Sequence, residues 1–293
     1  MWGQALAAIL VSGALAAAGC GGGGDNSATL QADEGPKIVD PGPVHVHGLG
    51  VNPADGALFI ATHTGMFRAP EGKRRARRVA GHYQDTMGFT VVGPDRFLGS
   101  GHPDGRENLP PFLGLIESTD AGQTWHPLSL QGKRDFHVLE ARGERVYGFG
   151  SDFESREQGL LLSDDGGRKW EERTPPEPLL SLAIHPRAID RAVASGEGGL
   201  YDSANAGRTW RRIDDQGALV AWPAPDALYA VHGNGAVSRS EDEGGTWREV
   251  GDVDGQPAAF LGRAADELYV AIHDGTVKQS SDGGRTWAIR SAP

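Results

Sequence analysis

Residues Ser280 to Trp287 read SSDGGRTW, and the chain writes near copies of this stretch at 118–125 (STDAGQTW), 163–170 (SDDGGRKW), 203–210 (SANAGRTW) and 240–247 (SEDEGGTW). The closing tryptophans, Trp125, Trp170, Trp210, Trp247 and Trp287, follow one another after 45, 40, 37 and 40 residues. A period near forty with several short β-rich runs per repeat is the signature of propeller blades. One repeat reads LLSLAIHP, RAVASG, GGLYDS and TWRRI, four such runs divided by turn residues. The last repeat keeps the order as AAFLGRA, ELYVAIH, GTVKQS and TWAIR. Backwards, GMFRAPEGKRRARRV (65–79) aligns without gaps on GLYDSANAGRTWRRI (199–213), with Ala76 in the tryptophan column. The expectation is an all-β chain folded as a β-propeller of six blades over 44–293, each blade of four antiparallel strands.

The boxes resemble the Asp-box, or bacterial neuraminidase repeat, S-x-D-x-G-x-T-W. That resemblance implies a turn between the third and fourth strands of each blade. The residue types fit such a turn. Ser118, Ser163, Ser203, Ser240 and Ser280, with Asp120, Asp165, Asn205, Asp242 and Asp282, offer oxygens to nearby backbone N–H groups. Gly122, Gly167, Gly207, Gly244 and Gly284 supply a conformation costly for other residues. The tryptophan then buries a large ring between neighbouring sheets. An EF-hand is excluded, because the spaced carboxylates and closing Glu are missing. The boxes are structural.

The first twenty residues differ from the rest. Ala5 to Gly19 is an uncharged apolar run, too short to span a bilayer and right for the core of a signal peptide. It ends at Cys20, the single cysteine, in an Ala-Ala-Gly-Cys context that resembles the bacterial lipobox. The expected organisation is a lipoprotein signal over 1–20 with Cys20 as lipidation site, a Gly- and Pro-bearing tether over 21–43, and the propeller over 44–293. This places the chain outside the cytoplasm on a lipid anchor, as a monomer. The net charge of -11 argues against a nucleic-acid partner. The basic run Lys73 to Arg78 reads as a solvated blade edge.

The segments HGLGVNP, MGFTVVGPDRFLGSGHPD, LGLIESTDAGQTW and DFHVLE are similar to a group of bacterial lipoproteins classed with glycosyl hydrolases of sialidase-like, or sortilin-like, fold. The similarity covers nearly all of 44–293 and implies the propeller fold. It also implies a hydrolytic activity, for which the residues must be found.

Blade register gathers histidines at one end of the ring. Aligned first strands put His47 level with Met87 and His137 beside them within one residue, and aligned second-strand ends put His63 level with His102. His232 and His273 take the matching places further round. The insertion at 101–112 and the segment 80–87 bring Tyr83, Asp85, Asp104 and Arg106 to the same rim, with His82 and Glu107. One expectation is a copper or zinc site built from His47, His63, His102 and His137, with Met87 as a soft neighbour. His185, before Pro186, serves a turn, and His45 and His126 are surface residues.

A sialidase needs three arginines that clamp a carboxylate, and register assembles no such triad: Arg68 of FRAP leads towards the box face. Another glycoside hydrolase needs only two carboxylates across the mouth. Asp85, Asp104, Asp135 and Glu107 are available, and Asp85 and Asp104 are best placed as the catalytic pair. The competing reading is a tethered module that binds a glycan, an extracytoplasmic protein or a metal, since fold does not fix function.

Overall fold

The computed structural model describes residues 40 and 42–293, so Cys20 and nearly all of the tether lie outside the described residues. Twenty-four strands form six four-stranded antiparallel sheets, each from four consecutive strands. The blades are β1–β4 (46–78), β5–β8 (85–129), β9–β12 (134–173), β13–β16 (181–214), β17–β20 (218–252) and β21–β24 (257–291). Among the described residues there is no helix.

Why these residues make a ring is visible in the second strands. Strand β2 (Leu58–Thr62) is buried throughout, so both its faces need partners. Alternation divides them: Leu58 and Ile60 pack towards the last blade, while Phe59 and Ala61 pack towards the second. Likewise Ala192 and Ala194 of β14 face the third blade and Val193 faces the fifth. Six apolar clusters result, one in each gap between neighbouring blades. The cluster joining Leu49, Ile60 and Phe67 to Tyr269 and Val277 closes the circle.

The boxes lie in the turns between third and fourth strands, as expected. In each, the buried serine hydroxyl donates to the Asp or Asn side-chain oxygen at 2.8–3.1 Å. The same serine oxygen accepts the glycine N–H at 2.8–3.0 Å. Each tryptophan packs against the cluster shared with the preceding blade, and Ala76 does so in the first blade.

The basic run is exposed at Lys73, Arg74, Arg75 and Arg77, a solvated blade edge, while Arg78 is covered. Arg75 bridges to Ala292, and Arg290 of the last blade donates to the carbonyls of Ala69, Pro70 and Lys73. The Arg78 side chain is 7% exposed, stacks on Phe67 and Tyr83, and pairs with Asp40. This run is part of the seam that closes the ring.

Candidate functional site at the channel mouth

The innermost strands line a central channel of about 500 Å³ that runs from His47 and His137 at one end to Arg142 and Arg263 at the other. Four first strands carry a β-bulge near that first end; in the last blade the extra residue is Ala258, and the other three carry larger side chains. The extra residues there are His47 in β1, Met87 in β5 and His137 in β9, because pairing skips from Val46 to Gly48, Thr86 to Gly88 and Phe136 to Val138. A bulge re-aims a side chain. Here it turns His47 and His137 onto the channel wall.

Two residues before the bulges of β5 and β9 stand Asp85 and Asp135. Asp85 is the hub of the mouth. His63 Nδ1 lies 2.9 Å and His102 Nδ1 3.3 Å from its Oδ2, and His47 Nε2 lies 3.7 Å from its Oδ1. Asp135 forms the second hub, with His137 Nε2 at 2.8 Å and His102 Nε2 at 3.4 Å from its Oδ2. His102 thus stands between the carboxylates. Glycines opposite the hubs make room: a Cβ at Gly101 would sit 2.0 Å from the Asp85 carbonyl oxygen, and one at Gly150 1.8 Å from that of Asp135.

Three polar atoms decide the chemistry. Asp85 Oδ1, Asp135 Oδ1 and His47 Nε2 are buried and have no hydrogen-bond partner, while the Asp85 side chain as a whole is 13% exposed. Among the described residues, no Lys or Arg pairs with Asp85 or Asp135. Burial holds His47 below the usual imidazole range, against the opposing pull of Asp85, which keeps its ring neutral near pH 7. The hydrogen bond to Asp85 raises His102, against its partial desolvation. His47, His63 and Asp85 each place one donor atom within 4.8 Å of the other two. In a tetrahedral site with bonds near 2.1 Å, neighbouring ligand atoms stand about 3.4 Å apart. The Asp85 distances to His47 and His63 bracket that value.

The other expected rim residues have different tasks. Asp104 is 5% exposed, and its carboxylate accepts hydrogen bonds from Tyr83 N, Arg106 N and the Arg106 guanidinium. The Arg106 contact holds that carboxyl well below the usual range. Asp104 thereby fastens the 101–112 insertion, whose Phe112 ring meets His102 edge-on at 5.7 Å. Tyr83 is exposed, with its ring between the guanidinium groups of Arg78 and Arg106. Met87 is half-buried in its bulge. His82 reaches the Gln123 carbonyl of the neighbouring box at 3.1 Å. His185 serves its turn, where its Nδ1 accepts the N–H groups of Arg187 and Ala188.

Deeper in the channel, Glu140 had not been singled out. It is half-buried on the channel wall, and desolvation pushes its carboxyl up to about 7, against the pull of Arg142. A wider groove of about 860 Å³ runs between the outer strands of the first blade and the second blade; Arg68 pairs with Asp55 within it, and Arg78 pairs with Asp40 beside it.

The BNR/Asp-box repeat family model matches residues 116–127, which include the first full box. Among curated proteins, the VPS10 domain-containing receptor SorCS2 of Homo sapiens is 27% identical over 108 residues, 35% of this chain and 9% of the receptor. The dispase autolysis-inducing protein of Streptomyces mobaraensis is 29% identical over 163 residues, 54% of this chain and 38% of that protein. The chain therefore spans less than half the length of these relatives. Among solved structures, the gluconolactonase XC5397 of Xanthomonas campestris aligns with a TM-score of 0.62 at 15% identity, over 85% of this chain and 88% of that one. At that identity the likeness is one of fold. The chain is a six-bladed β-propeller that carries a BNR/Asp-box repeat at residues 116–127.

Proposed function

We propose that this chain is a binding propeller whose channel mouth takes a divalent transition-metal ion, copper or zinc, through His47, His63 and Asp85. The observation that carries this reading is the meeting of these three side chains around two buried atoms without partners, Asp85 Oδ1 and His47 Nε2. A buried carboxylate with imidazoles around it and no cationic side chain beside it is costly unless a cation joins it. Imidazole with one carboxylate suits copper and zinc. Three protein ligands leave a coordination position open, and the channel below gives a small polar ligand room to reach it.

The hydrolase reading draws less support. It asks for two carboxylates free to exchange protons, and Asp104 is committed to Arg106. That one curated relative is named a receptor agrees with a binding role. We further propose that Cys20 carries a lipid and holds the propeller outside the cytoplasm, a reading supported by the Ala-Ala-Gly-Cys context after an apolar run.

The test is zinc or copper binding by the untagged protein, followed by calorimetry and thermal melting. The wild type should bind stoichiometrically and melt higher with metal. His63→Ala should weaken binding by about 100-fold or more, beyond the 10–100-fold lost with an outer partner. A wild type without stoichiometric metal and with an unchanged melting temperature would remove the reading.

A further inference from the structure

A net charge of -11 means that the chain as a whole is repelled by an anionic surface. One stretch runs against that balance. Aligned on the later boxes, the first blade has Lys73 in the glycine column, Arg75 in the threonine column and Ala76 in the tryptophan column, between Arg74 and Arg77. The letters that fasten the other turns are replaced here, two of them by cations. Lys73, Arg74, Arg75 and Arg77 are all exposed. They form the turn before β4 (Arg77–Arg78) and its first residue, at the outermost strand of the blade, so a partner seated there leaves the channel mouth uncovered.

We propose, on the reading that Cys20 carries the anchor, that this basic edge docks the ring on a membrane surface of anionic phospholipid. Three observations carry it. The chain joins the ring at this edge: Asp40 pairs at 2.6 Å with Arg78, which closes the basic run. The segment that leads back to Cys20 therefore leaves the ring beside these cations. The groove of about 860 Å³ next to them is lined by Lys73, Arg75 and Arg77, and its acids are engaged elsewhere, Asp55 with Arg68, Asp95 with Asn52, and Asp120 with Ser118 and Thr124. Positive charge is left to meet a phosphate headgroup. The turn is also held without its box, because Arg290 of the last blade donates to the carbonyls of Ala69, Pro70 and Lys73. A turn held in this way docks without first having to be ordered.

Each Lys or Arg at an anionic surface strengthens binding about fivefold, and the attraction fades within a Debye length. Cations at one edge orient an anchored ring. Without the anchor, and against the net charge, they hold the chain only weakly at physiological salt.

The full chain with Cys20→Ser, which takes the anchor out of the measurement, is sedimented at low ionic strength with vesicles of phosphatidylglycerol or of phosphatidylcholine. It should partition about 100-fold more strongly onto phosphatidylglycerol and lose that preference in molar salt. Gln at Lys73, Arg74, Arg75 and Arg77 together should abolish the preference. Gln at the equally exposed Lys169, Arg208, Arg211 and Arg248 of other blades, the same change in net charge, should keep it. Should the first variant melt lower than the wild type, Arg74→Gln and Arg77→Gln singly decide, each with a loss of about fivefold. Equal partition onto the two lipids overturns the basic edge, and so does a preference that survives the first variant or is lost in both. A preference as described, with no lipid on Cys20 by mass spectrometry of the wild type from membranes, removes the anchor and leaves the edge standing.

Discussion

At the scale of single residues, the mouth depends on what each carboxylate has been given as a partner. Asp104 has an arginine, and its charge is spent on fastening a loop. Asp85 and Asp135 have only imidazoles, and each keeps one buried oxygen free. Glu140 has only the weaker pull of Arg142 against its burial, and its folded-state value of about 7 stands above the ordinary 4.5. The sign follows from linkage: the folded chain binds this proton more tightly, so its contribution to stability is full below about pH 4.5. It falls as pH rises towards 7 and levels off above. Glu140→Gln should therefore raise the melting temperature more at pH 8 than at pH 5, by a difference equivalent to about 1–3 kcal/mol. Equal shifts at the two pH values would show that the carboxyl ionises freely in the channel.

At the scale of elements, the box turn and the bulge divide the work. The box fixes each outer hairpin and its tryptophan. The bulge turns a side chain of the inner strand into the channel. In the last box, hydrogen bonds from Thr286 and Ser280 lower the Asp282 carboxyl to about 2 from 3.8. Stability from this group is present above about pH 3.8 and is lost as pH falls towards 2. Asn205 makes the same contacts without charge: its Oδ1 accepts the Thr209 N–H at 3.0 Å and its Nδ2 donates to the Thr209 hydroxyl at 2.9 Å. Asp282→Asn should accordingly fold normally at pH 7 and lose less stability between pH 5 and pH 2.5 than the wild type. The same loss in both would mean that the carboxylate plays no part in the acid response.

These elements also show what was legible in the sequence. The box spacing carried the blade count and strand order, because a turn closed by serine, aspartate and glycine tolerates few substitutes. Register alone set His47 level with Met87 and His137 within one residue of them, and the structure has all three as bulge residues. The two hubs were legible only as available acids. The signal for them was the repeated spacing in DTM (85–87) and DFH (135–137), one acid two residues before each bulge. What stayed hidden was partner choice. Asp104 meets an arginine two residues along its own loop, whereas Asp85 meets imidazoles of the first blade, a contact set by how the blades pack.

At the scale of the molecule, six apolar gaps close a rigid ring and present one polar mouth. The seam is made by Arg290 and the basic run of the first blade rather than by a strand shared between chain ends. The proposed lipid anchor is tested at Cys20, where Cys20→Ser should release the protein from membranes into the soluble fraction. Persistent membrane association would contradict anchoring at that residue.

Crystals of the untagged protein grown with zinc, measured on both sides of the zinc absorption edge, test the metal site most directly. The account predicts an anomalous peak bonded to His47, His63 and Asp85 at about 2.0–2.2 Å. A fully occupied crystal form with these side chains placed as described and no anomalous density between them would contradict it.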